Sequence, residues 1–237
     1  MKKAVLFDVD DTLYDQTVPF KEAYSEYFGP DAAVPADELY PVSRKYSNQV
    51  FARAMSGEMS MEEMYIYRMQ KAFEEFGVKI SDEDALGFQY AYVNRQRNIH
   101  MTPLMRELLA WCSGRAPLGI ITNGPSGHQW DKVKGLKAEQ WIPRENVFIS
   151  AEVGAAKPDR AIFDLAARRM KAEEAQKWFV GDAYELDIEG AMNAGWKTVW
   201  INRRGNLRPD GKPAPEYEVR SEEELFAVMQ EVLDSDR

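Results

Sequence analysis

Cysteine and histidine are scarce in this sequence of 237 residues. It contains one cysteine, Cys112, and two histidines, His100 and His128. A single cysteine cannot form a disulfide within the chain, so nothing indicates an oxidising compartment. Zinc sites are built from sets of Cys and His ligands, which argues against a zinc protein. Cys112 falls within a helical pattern, and we interpret it as a small buried hydrophobic residue.

Positive charge and long apolar segments are also in short supply. The chain has 30 Lys and Arg against 39 Asp and Glu, a net charge of −9. This balance argues against binding to nucleic acids or anionic membranes, which attract clustered positive charge. No apolar run approaches the roughly 20 residues that span a bilayer. The first apolar stretch, residues 4–7, is too short for a signal peptide, and Asp8 follows directly. We therefore expect a cytoplasmic protein.

Helical signals dominate residues 15–100, where strand patterns are almost absent. Ser60 and Glu63 have the spacing of a capping box, and the helix that Ser60 opens should end near Gly77. Ser81 and Asp84 form a second, weaker capping signal. These signals predict a helical insert.

Short apolar segments alternate with helical ones in the rest of the chain. Such alternation is typical of a parallel sheet covered by helices. We predict strands at residues 4–7, 118–122, 147–149, 178–180 and 198–201, and helices at 102–112, 127–136, 159–170 and 187–194, with a last helix capped by Ser221. The predicted fold is α/β, with a core at residues 1–14 and 101–237 and an α-helical domain inserted at residues 15–100.

Polar residues follow four of the predicted strands, at the edge where parallel sheets place their active sites. In chain order they are Asp8, Asp10 and Thr12; Thr122, Asn123 and Gly124; Lys157; and Asp182 and Asp187. Crowded carboxylates are costly to bury unless they are protonated or hold a cation. Without Cys or His ligands, magnesium is the cation that suits them best. Small residues with backbone N–H groups, and a lysine, can bind phosphate oxygens.

These residues form four motifs in a familiar order. They are the DxDxT motif that begins at Asp8, the Thr-Asn-Gly motif at residues 122–124, Lys157 before a proline, and the GDxxxxD motif that ends at Asp187. In this order they resemble the motifs of the haloacid dehalogenase superfamily. The resemblance covers residues 1–14 and 101–237 and implies a Rossmann-like core. Residues 15–100 match the α-helical cap of that superfamily in position and size only.

The resemblance implies a magnesium-dependent phosphatase. In such an enzyme Asp8 attacks phosphorus and forms an aspartyl-phosphate, and Asp10 acts as general acid and base. Magnesium is then held by Asp8, Asp182 and the backbone carbonyl of Asp10.

The resemblance also assigns roles to the neighbouring residues. Thr122 and Lys157, with Asn123 and Gly124, bind the phosphoryl oxygens, and Thr12 braces the loop. Asp187 binds a metal water or orients Lys157; an alternative is that it only caps its helix.

The Thr-Asn-Gly motif, Gln129 and residues 198–205 are similar to the branch of pyrimidine 5′-nucleotidases and N-acylneuraminate-9-phosphatases. This implies a nucleoside monophosphate or a sugar or sugar-acid phosphate as substrate. We expect a monomer or homodimer. A 2-haloacid dehalogenase is an alternative, although enzymes of that type lack the second aspartate of DxDxT. A phosphomutase, or a non-catalytic binding protein on the same fold, is also compatible with the motifs.

Overall fold

The computed structural model describes residues 2–235, and the chain divides into two compact units. The core unit consists of the segment up to Asp15 and the segment from His100 onward. The helical unit consists of Gln16–Ile99. Of the helices among the described residues, none combines the length and the apolar character that crossing a membrane requires.

A six-stranded parallel sheet forms the centre of the core unit. The strands are β1 (Lys3–Phe7), β2 (Leu118–Thr122), β3 (Val147–Ile149), β4 (Gln176–Gly181), β5 (Lys197–Ile201) and β6 (Tyr217–Val219). Their order in the sheet is β3-β2-β1-β4-β5-β6. Every residue of β1, β2 and β3 is buried, as expected for a parallel sheet covered on both faces. The predicted α/β fold is confirmed.

Four helices make up the helical unit: α1 (Thr17–Phe28), α2 (Ala36–Met55), α3 (Met61–Glu74) and α4 (Asp82–Gln96). Ser60 and Ser81 both form complete capping boxes, which confirms the two predicted helix starts. The interior is aromatic; the Phe20 and Phe88 rings meet edge to face with centroids 5.0 Å apart. This packing gives the unit a hydrophobic core of its own.

The core unit carries the remaining helices: α5 (Pro103–Ser113), α6 (Ser126–Gly135), α7 (Ser150–Val153), α8 (Arg160–Arg169), α9 (Gly190–Asn193) and α10 (Glu222–Asp234). Thr102 caps α5 by accepting the Met105 N–H, and Asp159 caps α8 by accepting the Ala161 N–H. The sequence did not predict α7 or β6. Both are short, and the period of a helix or strand is hard to recognise in three or four residues.

The predicted helix at residues 187–194 is wrong in its first half. A π-helix at Tyr184–Glu189 begins three residues earlier, and α9 then follows. The difference arises because the Asp187 side chain folds back and accepts the Ala183 N–H at 3.0 Å. Asp187 therefore lies inside the wider turn and not at the start of the helix. Single π-turns of this kind are frequent at functional sites.

Candidate active site

The carboxyl ends of β1 and β4 bring three aspartates together. Phe7 pairs with Val180 in the sheet, and the Asp8 N–H donates to the Val180 carbonyl at 2.9 Å. The residues that follow the two strands therefore emerge side by side. One carboxylate oxygen each from Asp8, Asp182 and Asp187 lies within 4.8 Å of the other two. Asp8 is 6% exposed and Asp187 is 1% exposed, so these two carboxylates are shielded from water, while Asp182 is half-buried.

Gly181 makes room for this cluster. A Cβ atom at this position would lie 2.4 Å from an Asp187 carboxylate oxygen, which is closer than real contacts allow. The Asp187 carboxylate is also held by the Ala183 N–H. The Asp187 carboxylate thus accepts a hydrogen bond from Ala183, the residue before the π-helix, and is also part of the aspartate cluster. Only glycine fits the strand end on which that carboxylate lies.

Lys157 is the cation of the site, and it is 5% exposed. Its Nζ lies 2.5 Å from Asp8 Oδ1 and 2.6 Å from Asp187 Oδ1. Asn123 holds the backbone of this lysine at two points. The Asn123 Nδ2 donates to the Lys157 carbonyl at 2.8 Å, and the Lys157 N–H donates to Asn123 Oδ1 at 2.9 Å. Lys157 is therefore a positioned, buried residue and not an exposed loop lysine.

The electrostatics of the cluster are dominated by burial and by crowded negative charge. The pKa of Asp8 is raised from 3.8 to about 7, chiefly by burial; the Lys157 charge lowers this pKa, and the Asp187 and Asp10 carboxylates raise it. Burial alone would lower the pKa of Lys157, but the Asp187 and Asp8 carboxylates raise it above its usual range. The lysine therefore stays charged, while Asp8 is poised between its two protonation states.

These donors fit a hard divalent cation. Carboxylate oxygens are the ligands that magnesium prefers, and a nearby positive charge would stabilise ionised Asp8. Within the described part of the chain, neither histidine nor cysteine joins the group of possible ligands, and the Asp10 carboxylate does not join it either.

Asp10 instead contacts a lysine and a tyrosine. Lys132 Nζ in α6 donates to both Asp10 oxygens, at 2.7 and 2.6 Å, and the Tyr14 hydroxyl donates to Asp10 Oδ1 at 2.6 Å. Lys132 is 3% exposed. The motifs did not reveal either partner. A usable signal was the spacing of Lys132 and Gln129, which puts both on one face of the helix.

The Thr-Asn-Gly turn after β2 is held by hydrogen bonds within the core unit. The Thr122 hydroxyl donates to Gln129 Oε1 at 3.1 Å, and Gln129 Nε2 donates to the Asn123 carbonyl at 3.2 Å. The Gly124 N–H donates to the Ser150 hydroxyl at 3.0 Å. In the structure these donors form hydrogen bonds with other groups of the protein. The predicted contacts of this turn with phosphate therefore stay a prediction.

The loop after β1 is secured by two arginines, Arg203 and Arg204, which follow β5 in the chain. Arg203 Nη2 donates to the Thr12 carbonyl at 3.2 Å, and Arg204 Nη2 lies 2.5 Å from Asp11 Oδ1. The Thr12 hydroxyl is buried and has no hydrogen-bond partner among residues 2–235. The backbone of Thr12, and not its side chain, is therefore what these contacts hold.

The family follows from a comparison with known proteins. Residues 2–195 match the model of the haloacid dehalogenase-like hydrolases. The chain belongs to this family. The resemblance drawn from the four motifs is thereby confirmed.

Curated relatives extend over most of the chain. A glyceraldehyde 3-phosphate phosphatase of Methanopyrus kandleri is 28% identical and is matched over 98% of this chain and 99% of its own. The human N-acylneuraminate-9-phosphatase is 25% identical, over 97% and 94%. The pyrimidine 5′-nucleotidase YjjG of Escherichia coli is 36% identical, over 59% and 61%. Together with the family match, these similarities identify the chain as a phosphatase enzyme, and two of the three relatives are members of the predicted branch.

Solved structures show the same fold. The putative hydrolase YfnB of Bacillus subtilis, solved with bound magnesium, is 23% identical and superimposes with a TM-score of 0.73 over 96% of this chain and 98% of its own. The L-2-haloacid dehalogenase of Xanthobacter autotrophicus, 17% identical over 97% and 99%, has a TM-score of 0.71. The fold is therefore common to phosphatases and dehalogenases, and the side chains of the site must distinguish them.

Proposed function

We propose that this chain is a magnesium-dependent phosphatase that hydrolyses a small phosphate monoester through an aspartyl-phosphate on Asp8. The observation that supports this most directly is the cluster of two buried aspartates, Asp8 and Asp187, with the half-buried Asp182, in which Lys157 contacts both buried carboxylates. The raised pKa of Asp8 reflects burial and neighbouring negative charge that Lys157 does not fully offset. Such a cluster favours binding of a cation.

The proposed ligands of magnesium are Asp8, Asp182 and the backbone carbonyl of Asp10. Asp187 lies beside them and orients Lys157, whose Nζ it contacts at 2.6 Å. Bound magnesium would supply the positive charge that allows an anionic carboxylate to approach an anionic phosphate.

The reaction has two steps. In the first, an Asp8 oxygen attacks phosphorus, the bond from phosphorus to the ester oxygen breaks, and Asp10 donates a proton to the departing oxygen. In the second, water attacks phosphorus while Asp10 accepts its proton, and the bond to Asp8 breaks to release phosphate. A positioned acid and base of this kind contributes about 10²–10⁴-fold to the rate.

Lys157 and Thr122 are the proposed phosphate ligands. Lys157 is buried and charged, so it can stabilise negative charge that develops on the phosphoryl oxygens. Thr122 can do so only if its hydroxyl turns away from Gln129, to which it donates in the structure. For Asn123 and Gly124 the geometry favours a supporting role, since their side chain and N–H hold Lys157 and Ser150.

The proposed substrate is a nucleoside 5′-monophosphate or a sugar or sugar-acid phosphate. The support is the similarity to a pyrimidine 5′-nucleotidase, an N-acylneuraminate-9-phosphatase and a glyceraldehyde 3-phosphate phosphatase. The helical unit, inserted in the chain between β1 and α5, is proposed as the cap domain that selects among these substrates.

The test is phosphate release by the purified chain, stripped of metal with EDTA and then assayed with and without added magnesium. The panel contains nucleoside monophosphates, sugar phosphates, a sugar-acid phosphate and an aryl phosphate. We expect release that needs magnesium and that Asp8→Asn abolishes in a protein with an unchanged circular dichroism spectrum. Asp182→Asn should raise the magnesium concentration needed for half-maximal activity.

Three outcomes would contradict the proposal. Full activity after rigorous metal removal would show that the reaction does not need magnesium. Halide release from a 2-haloacid without phosphate release would identify a dehalogenase, for which Asp10 and Asp182 have no evident use. Transfer of the phosphoryl group to a second sugar hydroxyl, instead of to water, would identify a phosphomutase.

A further inference from the structure

A buried lysine in α6, Lys132, is directed at a single carboxylate. Its Nζ donates to both carboxylate oxygens of Asp10, and the side chain of Lys132 is only 4% exposed. A lysine is rarely buried to this extent unless it is paired, because its charge loses the solvation of water. The position is therefore specialised for contact with Asp10.

The same face of α6 also reaches the turn after β2. Gln129, three residues before Lys132, contacts both the Thr122 hydroxyl and the Asn123 carbonyl. Residues at this spacing are neighbours on a helix surface. One rigid helix face is thus connected to the acid and base of the proposed reaction and to the turn that holds Lys157.

We propose that Lys132 is a positioning residue that, together with the Tyr14 hydroxyl, fixes the orientation of the Asp10 carboxylate for proton transfer to the leaving oxygen. Three hydrogen bonds from two rigidly packed donors restrict rotation of that carboxylate. Lys132 does not touch the reacting atoms in this proposal; it acts through Asp10. The inference rests on the proposed phosphatase function, and in particular on the role of Asp10.

The test compares two aryl phosphates that differ in how much their leaving groups need a proton. Phenyl phosphate has a poor leaving group, while 2,4-dinitrophenyl phosphate has one that departs unaided. kcat/KM reports the steps up to departure of the leaving group. We expect Lys132→Met to lower kcat/KM for phenyl phosphate by about 10–100-fold, a large part of what a positioned acid contributes. The value for dinitrophenyl phosphate should change by less than about threefold.

A second arm places Lys132→Met in an Asp10→Asn background. If Lys132 acts through Asp10, the double variant should be no slower on phenyl phosphate than Asp10→Asn alone. The matched control is Lys134→Met, because Lys134 is an exposed lysine on the same helix. It should behave as the wild type does. If Lys132→Met does not fold, Tyr14→Phe removes one bond to Asp10 and should show the same dependence on the leaving group.

Equal losses on both substrates, or losses that multiply with those of Asp10→Asn, would overturn the inference and leave Lys132 with a structural role. Wild-type kcat/KM for Lys132→Met on phenyl phosphate would overturn it as well. Failure of the proposed function is a separate result, since the wild-type protein would then release no phosphate in response to magnesium.

Discussion

The proposed binding of magnesium should depend steeply on pH, and Asp8 should be the reason. Burial raises the pKa of Asp8 to about 7, so the metal-free site is largely protonated in mild acid. A carboxylate must lose its proton to bind a metal ion, and binding therefore competes with protons. The sign follows: the affinity for magnesium falls as the pH falls through 7.

The magnitude can be worked from the pKa. With a pKa of about 7, roughly one Asp8 in eleven is ionised at about pH 6 and roughly ten in eleven at about pH 8. The dissociation constant for magnesium should therefore be about tenfold higher at the lower pH, which corresponds to about 1.4 kcal/mol of binding free energy. Binding at about pH 6 should also release close to one proton.

Titration calorimetry measures both quantities, provided that each pH is examined in two buffers with different heats of ionisation. Asp8→Asn is the control, because it keeps an oxygen ligand but has no proton to lose. In this variant the dependence on pH should largely disappear. A change of less than about twofold in the wild-type dissociation constant between about pH 6 and pH 8 would show that Asp8 is already ionised without metal, and would refute the reasoning.

Three further predictions concern stability, and urea unfolding at neutral pH measures each of them. Lys157→Met should lower the unfolding free energy by about 3–5 kcal/mol, because it leaves buried carboxylates without their cation; a loss below about 1 kcal/mol would contradict the buried pairing. Gly124→Ala should cost about 1–3 kcal/mol, since φ is 147° and the new Cβ would lie 2.7 Å from Gln129 Nε2. Gly127→Ala in α6 is its matched control; it meets nothing within 4 Å and should stabilise by about 1 kcal/mol, so equal effects would exclude the steric explanation. Ser60→Ala should destabilise by about 1 kcal/mol through loss of the capping box, and an unchanged stability would mean that the cap contributes little.

Local physics explains why much of the fold was predictable. The strands at residues 118–122 and 147–149 agree with the observed β2 and β3 in full. Each is a short apolar run between polar residues. A run of this kind is typical of a strand that is buried on both faces of a parallel sheet. The capping boxes at Ser60 and Ser81 were equally predictable from the sequence, because the two partners of each box are three residues apart.

The prediction failed where a side-chain contact or a neighbouring strand decides the local structure. Residues 184–189 form a π-turn because the Asp187 side chain folds back and accepts the Ala183 N–H, and no helical period in the sequence encodes that contact. β6 has only three residues, so its sequence pattern is too short to recognise. It forms as a strand by pairing with β5.

The sequence by itself determined the family and the residues from which the site is assembled. Parallel strands end at one edge of the sheet, so the order of Asp8, Lys157, Asp182 and Asp187 along the chain was enough to predict that they converge. The tertiary structure alone decided how each is held. It revealed that Lys132 contacts Asp10, that Asn123 positions Lys157, and that burial moves the pKa of Asp8 to about 7. Orientation, burial and proton affinity depend on neighbours remote in the chain, and a motif does not specify those neighbours.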